Sequence, residues 1–173
     1  MAVEPVKLSG QEESPFEETA VKIYRCSKVV KGGRRFSFAA LVVVGDRAGT
    51  VGIGYGKANE VPLAVEKAIK DAKKSLHKIA LVGRTIPYQI TGKYRATRIT
   101  MVPASPGTGV IAGSSARAVL EYAGVQDVLT KVFGSTSAKN VVKATFDGLV
   151  RLRDKEIIES LRGVEVEAIK RWL

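Results

Sequence analysis

The sequence predicts an α+β protein made of two successive units. Three stretches rich in β-branched and aromatic residues come first and are followed by one amphipathic helical pattern, and a second group of strand and helix patterns begins near residue 83. The chain has 173 residues, of which 45% are hydrophobic. This apolar content is enough to bury real cores, so a wholly disordered protein is excluded.

The N-terminal residues 1–17 are predicted to form a flexible acidic tail. Pro, Gly, Ser and Glu follow one another there without helical or strand periodicity. Residues 1–20 hold five Glu and one Lys. We therefore expect the folded part of the chain to begin near residue 18.

The first unit, residues 18–82, begins with a predicted β-hairpin. Residues 21–30 and 35–44 have strand composition, and the Lys-Gly-Gly-Arg sequence between them is typical of a tight hairpin turn. After a second turn, residues 50–58 are expected to form a third strand. These three strands should pair as one antiparallel sheet.

The third strand has glycine at every second position, which leaves one of its faces bare and predicts a closely packed neighbour: Gly52, Gly54 and Gly56. The next segment supplies this neighbour as a helix. Asn59 is its expected cap, a proline lies in its first turn, and apolar residues follow helical spacing as far as Ile79. The order β-β-β-α is that of the core of a double-stranded-RNA-binding domain.

The second unit, residues 83–155, is predicted to have a β-α-β-α order in which the first β element is a pair of strands with its turn near Gly92 and Lys93. A Gly-rich loop leads into the first helix, and Gly124 closes that helix. The expected elements are strands at 84–94 and 95–105, the loop at 106–115, a helix at 116–124, a strand at 125–135 and a helix at 138–152. Residues 156–173 are expected to add one or two short peripheral helices.

The positive charge is concentrated in one part of the chain. The formal net charge is +11, and residues 21–100 hold 17 Lys and Arg against four Asp and Glu, whereas residues 101–173 hold ten against eight. Such an excess repels itself unless a polyanion neutralises it, and nucleic acid is the commonest one. The second half of the chain is nearly neutral.

Several classes of function are excluded or disfavoured by composition. A single Cys26 and a single His77 cannot build a disulfide framework or a zinc site, and we expect no metal and no cofactor. No apolar run approaches the roughly 20 residues of a membrane helix, and the N-terminus lacks a signal-peptide pattern. The sequence thus predicts a cytoplasmic protein without a membrane partner.

Two enzyme interpretations depend on the Gly-rich loop. Gly107 to Ala112 fits a dinucleotide-binding pattern with Asp127 as the acidic ribose ligand, but too few residues follow to complete a doubly wound sheet. Pro106 to Ala116 resembles the phosphate loop of the galactokinase and homoserine kinase superfamily, whose members are much longer. His77, placed in the last turns of the helix, and Cys26 lack partners for nucleophilic catalysis, so no catalytic residue is predicted.

Cations and glycines on the hairpin form the strongest binding pattern. Arginine holds phosphate through a planar fork, lysine adds point charge, and two glycines at the tip let backbone approach a phosphate. Tyr24 and Phe36 are candidates for base stacking, although Phe36 and Phe38 fit a core better. The candidate RNA-binding residues are Arg25, Lys28, Lys31, Gly32, Gly33, Arg34 and Arg35 on the hairpin, with Lys57, Lys67, Lys70 and Lys74 beyond it.

Two long collinear blocks resemble the S-five family of the small subunit of bacterial ribosomes. The first contains Val-Lys-Gly-Gly-Arg-Arg-Phe-Ser-Phe from Val30 and Gly-Ile-Gly-Tyr-Gly-Lys-Ala-Asn-Glu-Val-Pro from Gly52. The second begins with Pro-Ala-Ser-Pro-Gly-Thr-Gly-Val-Ile-Ala-Gly at Pro103 and continues through Arg117 to Val142. The resemblance covers roughly residues 18–155.

This resemblance implies a non-enzymatic constituent of the small subunit that binds 16S ribosomal RNA near the junction of head and body and supports assembly. It implies that the hairpin segment Ser27 to Arg35 reaches toward that RNA. It also implies that the second unit shares its fold with the kinase superfamily and meets neighbour S-eight, while a face around Gly109 and Arg117 meets neighbour S-four and contributes to translational accuracy. S-three and the channel where messenger RNA enters the subunit are further expected neighbours.

Three alternatives remain open at this stage. A free double-stranded-RNA-binding regulator would use the same basic unit but gives the second unit no evident role. A small-molecule kinase would bind nucleotide at the loop of residues 106–115. An organellar ribosome, as opposed to a bacterial one, is a further possibility.

Overall fold

The computed structural model describes residues 16–164, arranged as an α+β fold with two sheets and four helices in that range. The fold class predicted from the sequence is confirmed. The strands are β1 (Glu17–Val30), β2 (Gly33–Gly45), β3 (Thr50–Ala58), β4 (His77–Lys78), β5 (Ile90–Tyr94), β6 (Thr97–Pro103), β7 (Val110–Ile111) and β8 (Val128–Gly134), and the helices are α1 (Val61–Lys74), α2 (Ser114–Tyr122), α3 (Ala138–Val150) and α4 (Lys155–Arg162).

The first sheet has the order β1-β2-β3-β4 and is antiparallel throughout. The predicted hairpin is confirmed, since β1 and β2 pair from Glu17 with Gly45 to Val30 with Gly33. The first strand begins at Glu17, one residue before the expected start of the folded part at residue 18. Residues 1–15 of that tail lie outside the described residues, as do residues 165–173 at the other end.

Helix α1 packs against the glycine face of β3, as the alternating glycines predict. A Cβ atom added at Gly52, Gly54 or Gly56 would overlap a carbonyl oxygen of α1. The small side chains of the helix face these glycines, and each is fully buried: Ala64, Ala68 and Ala72. Because both surfaces are nearly flat, the backbones of helix and strand approach closely.

Both ends of α1 differ from the prediction. Glu60, not Asn59, is the cap residue, and no side chain bonds to the first turn. The helix ends at Lys74, and His77, which was placed in its last turns, instead pairs with Val51 in strand β4. The free edge of β3 explains the difference, because it offers backbone groups to the segment that follows the helix.

The second sheet has the order β5-β6-β8-β7, with β7 parallel to β8 and the other pairs antiparallel. Strand β5 covers only the end of the predicted strand at 84–94, and β7 was not predicted. The turn between β5 and β6 lies at Arg95, which has a positive φ of 50°, and not at Gly92. Gly92 lies inside β5, where its missing side chain makes room for the backbone of α3 at Ala144.

The three remaining helices are close to the prediction. Helix α2 begins at Ser114, two residues before the expected start, and Gly124 follows its end with a φ of 91°, which fits the predicted stop. Helix α3 covers most of the predicted range. Helix α4 is one of the expected peripheral helices and has no buried residue.

The first sheet has a core on each of its faces. One face packs against α1 through Ala40, Val42 and Val44. The other face contributes Leu41, Val43 and Val51 to a larger core that also contains residues of the second sheet and its helices, including Ile99, Met101, Leu120, Val142 and Leu149. The two predicted units therefore share one core.

Candidate nucleic-acid interface

The hairpin of β1 and β2 extends beyond the rest of the first sheet. Strand β3 pairs with β2 only from Phe38 to Gly45, so the part of the hairpin between Cys26 and Ser37 is a two-stranded ribbon. Gly32 and Gly33 form its tip with φ values of 91° and 146°, and no other group lies within 4 Å of their positions for Cβ. The tip can therefore approach a large partner without hindrance.

The pairing of β1 with β2 divides the predicted cations between two faces of this ribbon. Residues that pair across an antiparallel ladder share a face. Arg25 pairs with Phe38, whose neighbours on the same face of β2 pack on α1, so Arg25 belongs to the helix face. Lys28 pairs with Arg35, and these two lie on the opposite face, which continues toward the second sheet.

Arg25 and Phe36 make a cation–π contact on the helix face, with the guanidinium carbon 4.7 Å from the ring centroid. Phe36 is 47% exposed, so the interpretation of this ring as core is wrong, whereas Phe38 is half-buried beside α1 as expected. Tyr24 was a stacking candidate, but its hydroxyl oxygen is buried. Phe36 is thus the aromatic ring of the ribbon that is best exposed for contact with a base.

The predicted lysines of α1 lie along its exposed surface. Lys70 pairs with Glu66 at 2.7 Å, and this hydrogen bond, together with the charge of Lys70, holds the pKa of the Glu66 carboxyl below its ordinary value. Lys67 and Lys74 are exposed and form no ion pair within residues 16–164. Lys57 lies at the end of β3, on the ribbon face of Lys28 and Arg35.

A second group of cations lies where α3 packs beside the first sheet; Lys57 is a predicted RNA-binding residue, whereas Lys139 and Lys143 are not. Lys139 Nζ is 3.7 Å from the ring centroid of Tyr55, and Lys57 Nζ is 6.0 Å from the same centroid. Lys143 lies one helical turn after Lys139 and contacts Tyr94. We call Tyr55, Lys57, Tyr94, Lys139 and Lys143 the interdomain lysine cluster.

The contact between Lys143 and Tyr94 changes the acidity of the phenol. Lys143 Nζ lies 3.5 Å from the Tyr94 hydroxyl oxygen. This hydrogen bond and the positive charge of Lys143 hold the pKa of Tyr94 below its ordinary value. The spacing of the two lysines by four residues on a predicted helix could have indicated the cluster, but which side chains face them depends on how the two sheets pack.

Gly109 and Arg117, predicted to face a protein neighbour, do lie together. They line a shallow groove of about 500 Å³ with Arg47, Glu121 and Gln126 among its other lining residues. Arg117 Nη2 donates a hydrogen bond of 3.3 Å to the carbonyl oxygen of Val110. The groove therefore combines the apolar side chains of Val110, Ile111 and Val125 with charges of both signs.

Asp127 fixes the loop that carries Gly109. Asp127 is 3% exposed, and its Oδ1 accepts a hydrogen bond of 2.8 Å from the Gly109 backbone N–H. The Gly109 carbonyl oxygen in turn accepts from the N–H of Val128 at 3.1 Å. The acid considered as a ribose ligand is thus a structural group of this loop.

No constellation typical of catalysis is found among the described residues. Residues 16–164 contain no group of three or more His, Cys, Asp or Glu side chains that could hold a metal ion. His77 Nδ1 lies 3.1 Å from the carbonyl oxygen of Ser75, and its ring packs edge-on against Phe146. No helix in this part of the chain is long and apolar enough to span a membrane.

Comparison with known proteins identifies two matching family models. Residues 16–80 match the family described as "Ribosomal protein S5, N-terminal domain", and residues 92–162 match "Ribosomal protein S5, C-terminal domain". The second match contains Gly109, Arg117 and the lysines of α3.

Three bacterial relatives, each described as "Small ribosomal subunit protein uS5", are similar over most of their length. The protein of Syntrophobacter fumaroxidans is 52% identical over 153 residues, which cover 88% of this chain and 92% of the relative. That of a Hydrogenobaculum species is 51% identical over 90% of this chain and 82% of the relative. That of Persephonella marina is 48% identical over 98% of this chain and 86% of the relative.

Proposed function

The chain belongs to the S-five family of small-subunit ribosomal proteins, and we propose that it binds 16S ribosomal RNA near the junction of head and body through the ribbon of β1 and β2. Its role in the ribosome is structural and not enzymatic. Because the relatives are bacterial, we place it in a bacterial ribosome in the cytoplasm. Support of subunit assembly is part of the proposal.

One observation carries the proposal: the ribbon is a projecting, cationic element without any carboxylate. No Asp or Glu occurs between residues 19 and 45. The cations of the ribbon and of its base are exposed on both faces of the hairpin: Lys28, Lys31, Arg34 and Arg35 on the ribbon, and Arg25 at its base. Such a ribbon can enter a crevice between RNA helices and neutralise phosphates on two sides at once, which solubilising surface charge would not require.

The test is binding of the purified protein to transcribed 16S ribosomal RNA at several salt concentrations. Arg34→Glu with Arg35→Glu removes two cations from the tip and adds two charges that repel phosphate, so affinity should fall by at least about tenfold and the salt dependence should weaken. Lys67→Ala and Lys74→Ala, made separately, then show which lysines of α1 take part. If the charge reversal leaves the affinity unchanged, this RNA-binding role for the ribbon is wrong.

The groove of Gly109 and Arg117 is proposed as the contact with S-four through which the chain contributes to translational accuracy. Contacts shift an equilibrium only if they differ between two conformations of the subunit. Arg117→Ala should therefore change the frequency of misreading in a reconstituted translation assay. An unchanged frequency would contradict the assignment.

The remaining neighbours follow from the family and are proposed in the same sense. They are S-eight beside the second sheet, and S-three with the channel where messenger RNA enters the subunit. Sedimentation of a lysate distinguishes this role from that of a free double-stranded-RNA-binding regulator. The ribosomal role predicts that the chain sediments with small subunits after a wash with moderate salt, whereas a free regulator would stay at the top of the gradient.

A further inference from the structure

We propose that the interdomain lysine cluster is a second RNA-binding surface, which contacts the phosphate backbone of the same RNA that the ribbon binds. The inference rests on the proposed function and extends it to the second sheet and α3. It assigns to Lys139 and Lys143 a role in RNA binding that the sequence alone did not indicate.

The positive charge of the interdomain lysine cluster is not compensated by carboxylates. Lys139 and Lys143 are half-buried and Lys57 is exposed, and none of the three forms an ion pair with a carboxylate within residues 16–164. Two like charges four residues apart on a helix repel each other, and partial burial reduces the screening by water. A phosphate placed between the two ammonium groups would attract both and so offset their repulsion.

The interdomain lysine cluster continues the basic face of the ribbon. Lys57 pairs across the sheet with Ala39, and Arg35 lies on the same face of β2, four residues before Ala39. At about 3.4 Å per residue, this separation is about 14 Å along the strand. An RNA segment that contacts Lys28 and Arg35 therefore needs to extend only a short way to reach Lys57 and then α3.

The second unit, residues 83–155, is itself positively charged. Residues 101–173 are nearly neutral, but residues 83–155 carry 11 Lys and Arg against four Asp and Glu. The two charges differ because residues 101–173 include four glutamates after residue 155 and leave out the four cations Arg84, Lys93, Arg95 and Arg98. The second unit is therefore not nearly neutral, as its description as a protein-docking unit assumes, and its charge is suited to RNA as well.

The two tyrosines hold the lysines in place before any ligand binds. Tyr55 lies under Lys139, and Tyr94 lies under Lys143 with its centroid 5.0 Å from Nζ. Ordering a free lysine costs side-chain entropy, so lysines that are already packed on rings lose less on binding. Lysine supplies point charge without a base-reading pattern, which favours the phosphate backbone over base edges as the ligand.

The experiment compares double variants of the whole protein in binding to transcribed 16S ribosomal RNA. Lys139→Ala with Lys143→Ala should reduce the slope of log affinity against log salt by about 2 and weaken binding by about 10- to 100-fold at 0.1 M salt. The conservative pair K139R and K143R keeps both charges and should bind within about threefold of the original protein. The matched control is Lys93→Ala with Lys131→Ala, which removes two exposed lysines of β5 and β8 and should change little.

A second measurement uses the unaltered protein and so does not depend on how the variants fold. Acylation of lysines, followed by mass spectrometry, should show Lys139 and Lys143 protected by the RNA, while Lys93 and Lys131 stay reactive. The proposal is overturned if Lys139 and Lys143 stay reactive and their alanine pair binds like the control. It is also overturned if they are protected only in the assembled subunit and not by RNA alone, since an acidic protein neighbour would then be the partner.

The two proposals fail in different ways. If Arg34→Glu with Arg35→Glu weakens binding but the alanine pair on α3 does not, the ribbon binds RNA and the cluster does not. If the pair on α3 weakens binding and the charge reversal on the ribbon does not, the cluster stands and the role of the ribbon is wrong.

Discussion

The glycines of β3 and the alanines of α1 set the distance between this helix and the first sheet. The methyl groups of Ala64, Ala68 and Ala72 are fully buried over the bare face of β3. Gly54 lies in the middle of this face, where an added Cβ would overlap the carbonyl oxygen of Ala68. A rigid helix backbone cannot move aside at one point without losing contacts at its neighbours.

Gly54→Ala should therefore destabilise the fold by about 3 kcal/mol or more, because the new methyl group forces α1 away from the sheet. Denaturation in urea, followed by circular dichroism, measures this change. Gly113→Ala is the matched control, since Gly113 precedes α2 with a φ of −66° and no other group lies within 4 Å of its Cβ position. The control should change stability by about 1 kcal/mol or less, since alanine caps a helix less well than glycine but also lowers the entropy of the unfolded chain, and equal effects of both substitutions would contradict the packing argument.

Asp127 has a structural role that the sequence does not indicate. Its position 20 residues after Gly107 suggested a ribose ligand, whereas the carboxylate is buried beneath the loop and bonds to the Gly109 N–H. Sequence spacing could not distinguish these roles, because the two arrangements differ in which strand carries the acid and not in the residues themselves.

Asp127→Ala should destabilise the protein by about 1 to 3 kcal/mol, because the Gly109 N–H loses its partner in a poorly hydrated site. Asp127→Asn keeps an oxygen acceptor of the same shape and should cost less. Amide hydrogen exchange at Gly109 distinguishes a local effect from a global one: exchange should accelerate there in the alanine variant more than in the core strands β6 and β8. Unchanged exchange at Gly109 would show that Asp127 does not hold the loop.

At the level of elements, the strength of the local pattern decided how well the sequence predicted each one. The hairpin of β1 and β2 and helix α3 were predicted closely, since a Gly-Gly turn and a long apolar periodicity specify them locally. Strand β7 has only two residues and pairs in parallel with a strand 18 residues later. Pairing of that kind depends on tertiary structure. So does β4, which forms where the sequence predicts the last turn of α1.

The turn between β2 and β3 depends on one carboxylate. Asp46 Oδ1 accepts hydrogen bonds of 2.8 Å from the backbone N–H groups of Ala48 and Thr50. Partial burial opposes ionisation, but these hydrogen bonds outweigh it and hold the pKa of Asp46 below its ordinary value. Because the pKa is lower in the folded state, the carboxylate stabilises the fold at neutral pH, and this contribution is lost as the pH falls below about 4.

Asp46→Asn should therefore cost more stability at pH 7 than at pH 3. The expected loss at pH 7 is only a few tenths to about 1 kcal/mol, since the group is only partly buried and is screened by water. Urea denaturation of both proteins at the two pH values measures the difference. A loss that is equal at pH 7 and pH 3 would indicate a steric effect of the substitution and not the charge of Asp46.

For the whole molecule, the shared core places the two basic surfaces in a fixed relation. Gly45 lies against the backbone of Tyr122, and Gly124 lies against the backbone of Arg47, so the turn after β2 and the end of α2 touch without intervening side chains. The Arg47 N–H also donates a hydrogen bond of 3.1 Å to the Tyr122 carbonyl oxygen. A protein that binds one RNA with both the ribbon and α3, as proposed, benefits from such a rigid connection. A hinge between the two surfaces would add conformational entropy that binding has to remove.

This arrangement predicts that the chain unfolds as one cooperative unit. Leu41, Val43 and Val51 are each at most 1% exposed, and they are covered by residues of the second unit. A fragment of residues 16–82 would expose this apolar face to water. Because burial of apolar surface stabilises a fold by about 25 cal/mol per Å², the fragment would lose a large part of its stability. Calorimetry of the whole chain should show a single transition with equal calorimetric and van't Hoff enthalpies, and the fragment should aggregate or bind a hydrophobic dye. Two separate transitions, or a fragment that unfolds cooperatively by itself, would show that the ribbon and α3 belong to independent domains.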